Sequence, residues 1–197
     1  MNDSQTKICL IGGTFDPIHL GHTFIAAQVV RKLGIDKVIF LPCRQSPHKL
    51  NSQSVAEHHR LEMCRLAVAD FPWADVSDYD LTAPAPSYSW RTAEHFKELY
   101  PDAELHWLMG TDQWEALSRW NNAKHFASLV QIIVYSRAHA PIQQDGFECI
   151  PLTGYFHPAS ATGIRHAIGQ RHAPSWMAPA VAHYVEENRL YLKSPLD

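Results

Sequence analysis

The densest chemical signal in the sequence lies between residues 12 and 22, which read Gly-Gly-Thr-Phe-Asp-Pro-Ile-His-Leu-Gly-His. Adjacent glycines let a backbone pass close to a ligand because no Cβ atom stands in the way. The start of a following helix offers N–H donors to an anion. His19 and His22, three residues apart, could both reach a phosphate bound there. Taken together, the string predicts a phosphate-binding loop.

Simpler interpretations of the same residues are open. A glycine turn with two incidental histidines would have the same composition in a chain with 13 histidines. A His-x-x-His pair could also ligate a metal ion, but no third ligand is suitably spaced.

A second polar group lies near the carboxyl terminus. Ser160 and Thr162 place hydroxyls at a predicted helix start, and Arg165 follows within the first turns. Hydroxyls, a helix dipole and a guanidinium together suit the outer phosphates of a nucleoside triphosphate. The alternative is that Ser160 is only an N-cap and Arg165 a solvated surface residue. The polar loop with His48 and Lys49 could close over the same phosphates or be an ordinary exposed loop.

Three further positions could contact an organic ring or its substituents. Asp112 lies just past a predicted strand, where it could accept hydrogen bonds from a nucleotide or cap a helix. Trp120 could stack on a heteroaromatic ring or belong to the core. Tyr88 lies between Ser87 and Ser89 in a loop stiffened by two prolines, whose backbone donors could bind a small carboxylate; many ordinary turns share this composition.

The elements that must position these residues follow from hydrophobic periodicity. Short apolar strings alternate with segments of helical period, which is typical of β-α units on a parallel sheet. Strands are predicted over 7–11, 38–41, 76–81, 105–109, 131–135 and 149–152. Helices are predicted over 21–33, after a capping box formed by Ser54 and Glu57, over 90–100, from near Ser160, and over 179–188. The expected fold is α/β, an open, doubly wound parallel sheet that binds ligands at the carboxyl ends of its strands.

Length and charge limit the remaining possibilities. The 197 residues predict one domain over 1–197, with a small helical part from about residue 160. A net charge of -3 argues against a nucleic-acid partner. The four cysteines form no C-x-x-C pair, which suits a reducing compartment. No leader segment and no apolar run of the ~18 residues that a membrane span needs is present. We therefore expect a cytoplasmic protein without a membrane partner; whether it forms a homo-oligomer is open.

The first motif resembles the (T/H)-x-G-H signature of the nucleotidyltransferase superfamily. In its longer form, Gly-Gly-Thr-Phe-Asp-Pro, it resembles the bacterial nicotinate mononucleotide adenylyltransferases. Four further segments resemble motifs of that family in the same order: the loop ending in Pro47-His48-Lys49, the segment 85–89, Gly110 to Asp112 with Trp120, and the segment 160–165. Ser89 stands where the family usually has threonine, and Ala138-His139 where it usually has Pro-Gly after the arginine matching Arg137.

The resemblance implies a Rossmann-like nucleotidyltransferase fold and adenylyl transfer from ATP to nicotinate mononucleotide. The products would be nicotinate adenine dinucleotide, a precursor of NAD, and pyrophosphate. It implies catalytic roles for His19, His22, Lys49 and Arg165. It implies ATP contacts by Gly12, Gly13, Thr14, Phe15, His19, Gly21, His22, Gly110, Asp112, Ser160, Thr162 and Arg165. It implies mononucleotide contacts by Asp16, His48, Ser87, Tyr88, Ser89, Trp120 and Arg137. Mg²⁺ would be held by the ATP phosphates, with no protein metal site.

The implied reaction fits the residue types present. The attacking phosphate is already an anion near neutral pH, because its second pKa is about 6. No strong general base is needed, so positioning and charge stabilisation would supply the catalysis. Two enzyme alternatives use the same core with a different acceptor, either nicotinamide mononucleotide or another phosphate ester such as phosphopantetheine. A regulator that binds nucleotide without turnover is a further alternative.

Overall fold

The sheet of this protein has six parallel strands. The computed structural model describes residues 5–44, 54–136, 139–154, 156–173 and 175–192. The strands are β1 (Lys7–Gly13), β2 (Lys37–Pro42), β3 (Ala74–Val76), β4 (Glu104–Gly110), β5 (Gln131–Ser136) and β6 (Ile150–Thr153), in the order β3-β2-β1-β4-β5-β6. The predicted open, doubly wound α/β sheet is confirmed, because the order reverses direction between β1 and β4.

Eight helices connect or follow the strands in the described part of the chain. They are α1 (Leu20–Leu33), α2 (Glu57–Val68), α3 (Tyr79–Thr82), α4 (Ser89–Leu99), α5 (Thr111–Ala116), α6 (Ala123–Leu129), α7 (Ala161–Gly169) and α8 (Pro179–Glu187). A 3₁₀ turn at Leu117–Arg119 joins α5 to α6. None of these described helices has the length and apolar character to cross a membrane.

Two hydrophobic clusters cover the two faces of the sheet. Side chains alternate along β1, so that Cys9 and Ile11 enter one cluster while Ile8 and Leu10 enter the other. Helices α1, α2, α7 and α8 pack on the first face and are called the first layer. Helices α4, α5 and α6 pack on the second face and are called the second layer. Each layer therefore flanks one side of the region at the strand ends where a ligand would bind.

Two local predictions were wrong. The strand expected over 76–81 ends at Val76, and the chain turns into α3, whose first amide donates to the Ser77 hydroxyl. A serine hydroxyl in that place favours a turn over a continued strand. The capping box is absent, since Ala56 precedes α2 and Glu57 pairs instead with Arg44 at 3.3 Å.

The pattern also fails to predict α5 and α6. These helices have six and seven residues, too few to display a helical stripe. They are held by tertiary packing, through the buried side chains of Trp114 and Phe126.

Candidate active site

A cleft of about 1510 Å³ opens at the carboxyl ends of the central strands. Ligands of doubly wound sheets bind at this point, where the strand order reverses. The cleft is lined by every predicted site residue that the structure describes: Gly12, Gly13, Thr14, Phe15, Asp16, His19, Gly21, His22, Ser87, Tyr88, Ser89, Gly110, Asp112, Trp120, Ser160, Thr162 and Arg165. His48, Lys49 and Arg137 lie outside the described residues. Segments separated by almost 150 residues therefore converge on one cavity.

The paired glycines make room for the protein's own rings. A Cβ atom on Gly12 would lie 2.9 Å from a carbon of the Trp107 ring. A Cβ atom on Gly13 would lie 3.1 Å from the ring of Phe15, whose left-handed φ of 49° turns it back over the loop. The expectation that these glycines serve only the approach of a ligand is thus incomplete, because each also permits an internal contact.

The two histidines of the motif form a stacked pair. Their ring centroids lie 3.7 Å apart, and the His19 backbone amide donates to Nδ1 of His22 at 3.2 Å. Burial, and next the neighbouring His19, lower the pKa of His22 well below its ordinary value. His22 is therefore neutral near pH 7, with its proton on Nε2 because Nδ1 accepts the amide. It can donate one hydrogen bond to a phosphate without carrying charge.

Helix α1 offers fewer open amides than expected. The Leu20 amide donates to the Trp176 carbonyl at 2.8 Å, and the His22 amide donates to the His19 carbonyl at 2.9 Å. Gly21 lies between these residues, and a Cβ atom there would approach the His19 ring to 3.0 Å. This end of the cleft therefore presents imidazole groups to an anion more than it presents the backbone amides of α1.

The segment after β6 faces the same cavity. Ser160 caps α7 by accepting the Gly163 amide at 3.1 Å, so it does act as the N-cap and also lines the cleft. Arg165 donates to the Asp16 backbone carbonyl at 2.6 Å, and one of its nitrogens lies 3.9 Å from the Asp16 carboxylate. A second nitrogen lies 3.5 Å from the Thr162 hydroxyl. Arg165 is thus held against the first motif while its side chain is about one-third exposed.

The Tyr88 loop is built around a buried carboxyl group. Asp80 accepts the Thr92 hydroxyl at 2.6 Å, and the Ser87 hydroxyl donates to the Asp80 carbonyl at 3.0 Å. Burial raises the pKa of Asp80 to about 6. The Arg91 guanidinium lies over the Tyr88 ring, 5.0 Å from its centroid. These contacts fix the loop and leave Ser87, Tyr88 and Ser89 at the cavity wall.

Trp120 belongs both to the core and to the cleft. Its ring packs on Phe126 with centroids 5.7 Å apart, and its other surface contributes to the cavity wall. A hydrogen bond of 3.1 Å from Trp90 to Asn121 ties this segment to the helix that follows the Tyr88 loop. Asp112 is exposed in the first turn of α5 and is not the N-cap, a position that Gly110 occupies.

The sequence analysis did not identify two residues near the cleft. Arg60 is only 1 % exposed and donates to the carbonyls of Thr14 at 2.8 Å and Cys43 at 2.7 Å. The sequence feature that could have identified Arg60 is its position on the apolar stripe of α2, four residues before Cys64. His157 lines the cleft and accepts the Ala159 amide at 3.2 Å. A histidine three residues before Ser160 was visible in the sequence but attached to no motif.

Known proteins are similar to this chain over most of its length. The family model described as cytidylyltransferase-like matches residues 10–167. A probable nicotinate-nucleotide adenylyltransferase of Methylacidiphilum infernorum is 36% identical over 94% of this chain and 92% of its own. One from Bacillus licheniformis is 32% identical over 94% of this chain and 98% of its own.

A solved structure has a similar fold. It is the Plasmodium falciparum nicotinic acid mononucleotide adenylyltransferase complexed with NaAD, with a TM-score of 0.77 at 17% identity. The match covers 94% of this chain and 97% of that one.

Proposed function

This chain belongs to the cytidylyltransferase-like family, with nicotinate-nucleotide adenylyltransferases as relatives, and on that premise we propose how its cleft carries out the transfer. The chain is a nucleotidyltransferase that transfers the adenylyl group of ATP to nicotinate mononucleotide in NAD biosynthesis. The observation that carries the residue assignments is convergence: His19, His22 and Arg165 line the same cavity as Trp120.

We assign one side of the cleft to ATP. This nucleotide side consists of His19, His22, Ser160, Thr162 and Arg165. The triphosphate carries several negative charges, and donors fixed in advance stabilise it without reorganising during the reaction. Neutral His22 donates from Nε2, while Arg165 supplies a permanent positive charge. Both groups are already held by internal contacts before substrate binds.

We assign the other side to nicotinate mononucleotide. This acceptor side consists of Asp80, Ser87, Tyr88, Ser89 and Trp120. Trp120 offers a flat face on which a pyridine ring can stack. Backbone donors of the Tyr88 loop, whose shape is fixed through Asp80, would bind the pyridine carboxylate. Asp16 stays a predicted contact of the mononucleotide. Its carboxylate also accepts hydrogen bonds from within the protein.

The chemistry requires alignment more than proton transfer. A mononucleotide phosphate oxygen attacks the α-phosphorus of ATP, a P–O bond forms, and the bond to the β-phosphate breaks to release pyrophosphate. The attacking oxygen is ionised near neutral pH, so no side chain needs to remove a proton. The two sides of the cleft hold the reactants in line, and the nucleotide side stabilises charge on the α-phosphate and on the leaving pyrophosphate.

A divalent cation and three further residues complete the proposal. Within the described ranges no group of three His, Cys, Asp or Glu side chains could hold a metal ion, so ATP phosphates and water would supply the ligands of Mg²⁺. Bound there, the ion neutralises part of the triphosphate charge. Lys49, His48 and Arg137 stay predicted phosphate or mononucleotide contacts.

An acceptor panel tests the proposed function. The purified chain is given ATP and Mg²⁺ with nicotinate mononucleotide, nicotinamide mononucleotide or phosphopantetheine, and pyrophosphate release is followed. We expect the highest kcat/KM with nicotinate mononucleotide. Turnover with phosphopantetheine alone would contradict the assignment to NAD biosynthesis. Measurable ATP binding without pyrophosphate release on any acceptor would instead favour a nucleotide-binding regulator.

A further inference from the structure

Tyr191 lies beyond the last helix and yet contacts the first motif. Helix α8 packs against α2 in the first layer, and Leu190 is buried in the same hydrophobic cluster. Tyr191 then adopts a left-handed backbone with φ of 65°, which is uncommon for a bulky side chain. Its half-buried ring approaches the loop between β1 and α1, a segment 175 positions earlier in the chain.

The contact is a hydrogen bond to a buried carboxylate. The Tyr191 hydroxyl donates to Oδ1 of Asp16 at 2.8 Å, and the Val55 amide donates to the same oxygen at 3.3 Å. Burial, and next the adjacent Asp16, raise the pKa of the Tyr191 phenol, which therefore stays protonated and able to donate. Asp16 itself is 7 % exposed. Its carboxylate orientation is set by these two donors.

Asp16 in turn determines where Arg165 points. One guanidinium nitrogen of Arg165 donates to the Asp16 carbonyl at 2.6 Å and lies 3.9 Å from Oδ2 of the same residue. A guanidinium has five N–H donors in a fixed plane, so holding one edge fixes the direction of the others. Arg165 lines the cleft on the nucleotide side. A chain of contacts therefore runs from Tyr191 through Asp16 to a group that faces the substrate.

We propose that Tyr191 is a positioning residue for adenylyl transfer: its hydroxyl fixes the Asp16 carboxylate, and Asp16 holds the Arg165 guanidinium toward the triphosphate. The proposal rests on the proposed function for the identity of the substrate. It assigns the segment after α8 to the support of the active site, beyond its packing on α2. The competing explanation is that Tyr191 only anchors the end of the chain.

Removal of a single hydroxyl separates these explanations. Tyr191→Phe loses the bond to Asp16 and keeps the ring. The matched control is Tyr184→Phe, because the Tyr184 hydroxyl also makes one side-chain hydrogen bond, 2.9 Å long, to His59 outside the cleft. Equilibrium binding of α,β-methylene ATP, steady-state kinetics and thermal unfolding are measured for both variants.

We expect Tyr191→Phe to weaken α,β-methylene ATP binding by up to about tenfold, because the free energy of the lost hydrogen bond to the Asp16 carboxylate limits the effect that reaches Arg165. The KM for nicotinate mononucleotide should rise by less than this, because stacking on the acceptor side does not depend on Arg165 and only the predicted contact with Asp16 would weaken. Tyr184→Phe should bind the analogue like the parent protein. Unchanged analogue binding in Tyr191→Phe, or equal losses in the two variants, would overturn the proposal.

A double-mutant cycle tests the route through Asp16. If Tyr191 acts through that carboxylate, Tyr191→Phe should have no further effect on binding in an Asp16→Asn background, or in Arg165→Ala if the former does not fold. Additive losses would contradict the route. Binding of the ATP analogue is independent of the acceptor. If no acceptor in the panel is used but the effects of the two substitutions on analogue binding are non-additive, the proposed function is rejected and the role of Tyr191 in positioning Arg165 stands.

Discussion

The two helical layers hold their sides of the cleft by different physical means. The side of the cleft that the first layer supports is held by buried polar groups. Arg60 donates hydrogen bonds to three backbone carbonyls. Asp16 accepts hydrogen bonds from both Arg165 and Tyr191. The second layer uses aromatic packing: Trp107 lies edge-on to Phe126 at 5.2 Å, and Trp120 packs on the same ring. One side of the cleft is therefore held mainly by directional hydrogen bonds and the other mainly by shape.

The difference matches what each side must bind. Charge on a triphosphate is stabilised best by donors whose directions are fixed beforehand, and fixed donors inside a protein need partners of their own. A pyridine ring needs mainly an apolar face at the correct depth. Damage to the first layer should therefore reduce turnover and stability, whereas damage to the second should change the use of the acceptor.

The largest effect should come from the His22 imidazole of the first layer. We expect His22→Ala to lower kcat by roughly 10² to 10³, the usual loss for one transition-state donor. The fold should persist, as judged by a cooperative thermal transition. His183→Ala is the control, because that histidine is exposed and pairs with Glu187 at 3.2 Å. A rate equal to that of the control would remove His22 from the mechanism.

Next in size is the loss of the buried guanidinium that supports the first motif. We expect Arg60→Met to lower the free energy of unfolding by about 3 kcal/mol, because buried carbonyls of Thr14 and Cys43 lose their donors. Urea denaturation measures the change. Arg65→Met on the same helix is the control, since Arg65 is exposed and its ion pair with Glu62 spans 3.7 Å. Equal stability of the two variants would show that Arg60 is dispensable.

These buried supports are the part of the site that the sequence could not predict. The pattern of apolar strings and glycines was sufficient for the parallel sheet, the helix α1 and the cleft at the strand ends. It contained no sign that Tyr191 reaches Asp16, because that contact depends on how α8 packs against α2. Arg60 lay on the apolar stripe of α2, but its burial was not predicted because an arginine is normally assigned to the surface.

The acceptor side shows a second limit of sequence reasoning. Ser87 to Ser89 and Trp120 were recognised as candidates, but the element before them was predicted as a strand up to residue 81. Asp80 in that stretch proved to be a buried carboxyl group inside a short helix. Asp75 and Asp78 lie in the same stretch, so the sequence does not single out Asp80, and only the tertiary contact with Thr92 gives it meaning.

Asp80 predicts a pH dependence of stability for the acceptor side. Its folded pKa of about 6 exceeds the ordinary aspartate value of 3.8, so protonation of Asp80 favours the folded state. That stabilisation is complete below about pH 4 and is lost as pH rises through 6. Asp80→Asn, which keeps an acceptor for Thr92, should be more stable than the parent by about 3 kcal/mol at pH 8, with the difference vanishing near pH 4.

Thermal unfolding from pH 4 to pH 8 measures this difference. Asp75→Asn serves as the control, because Asp75 is exposed and pairs with Lys37 at 3.7 Å. Its stability relative to the parent should not increase with pH. A flat difference for Asp80→Asn would show that folding does not raise the pKa of the Asp80 carboxyl, and would contradict the prediction.

The smallest expected effect should distinguish the nucleotide side of the cleft from the acceptor side most clearly. We expect Trp120→Ala to raise the KM for nicotinate mononucleotide about tenfold, since stacking of one base on an aromatic ring contributes ~1–3 kcal/mol. The KM for ATP should change less than twofold, because the nucleotide side belongs to the other layer. Trp90→Ala is the control: that ring contacts Asn121 beside Trp120 but does not line the cleft. Equal increases in both KM values would identify Trp120 as a core residue that acts on the whole cavity, and the division of the cleft between the two layers would fail with it.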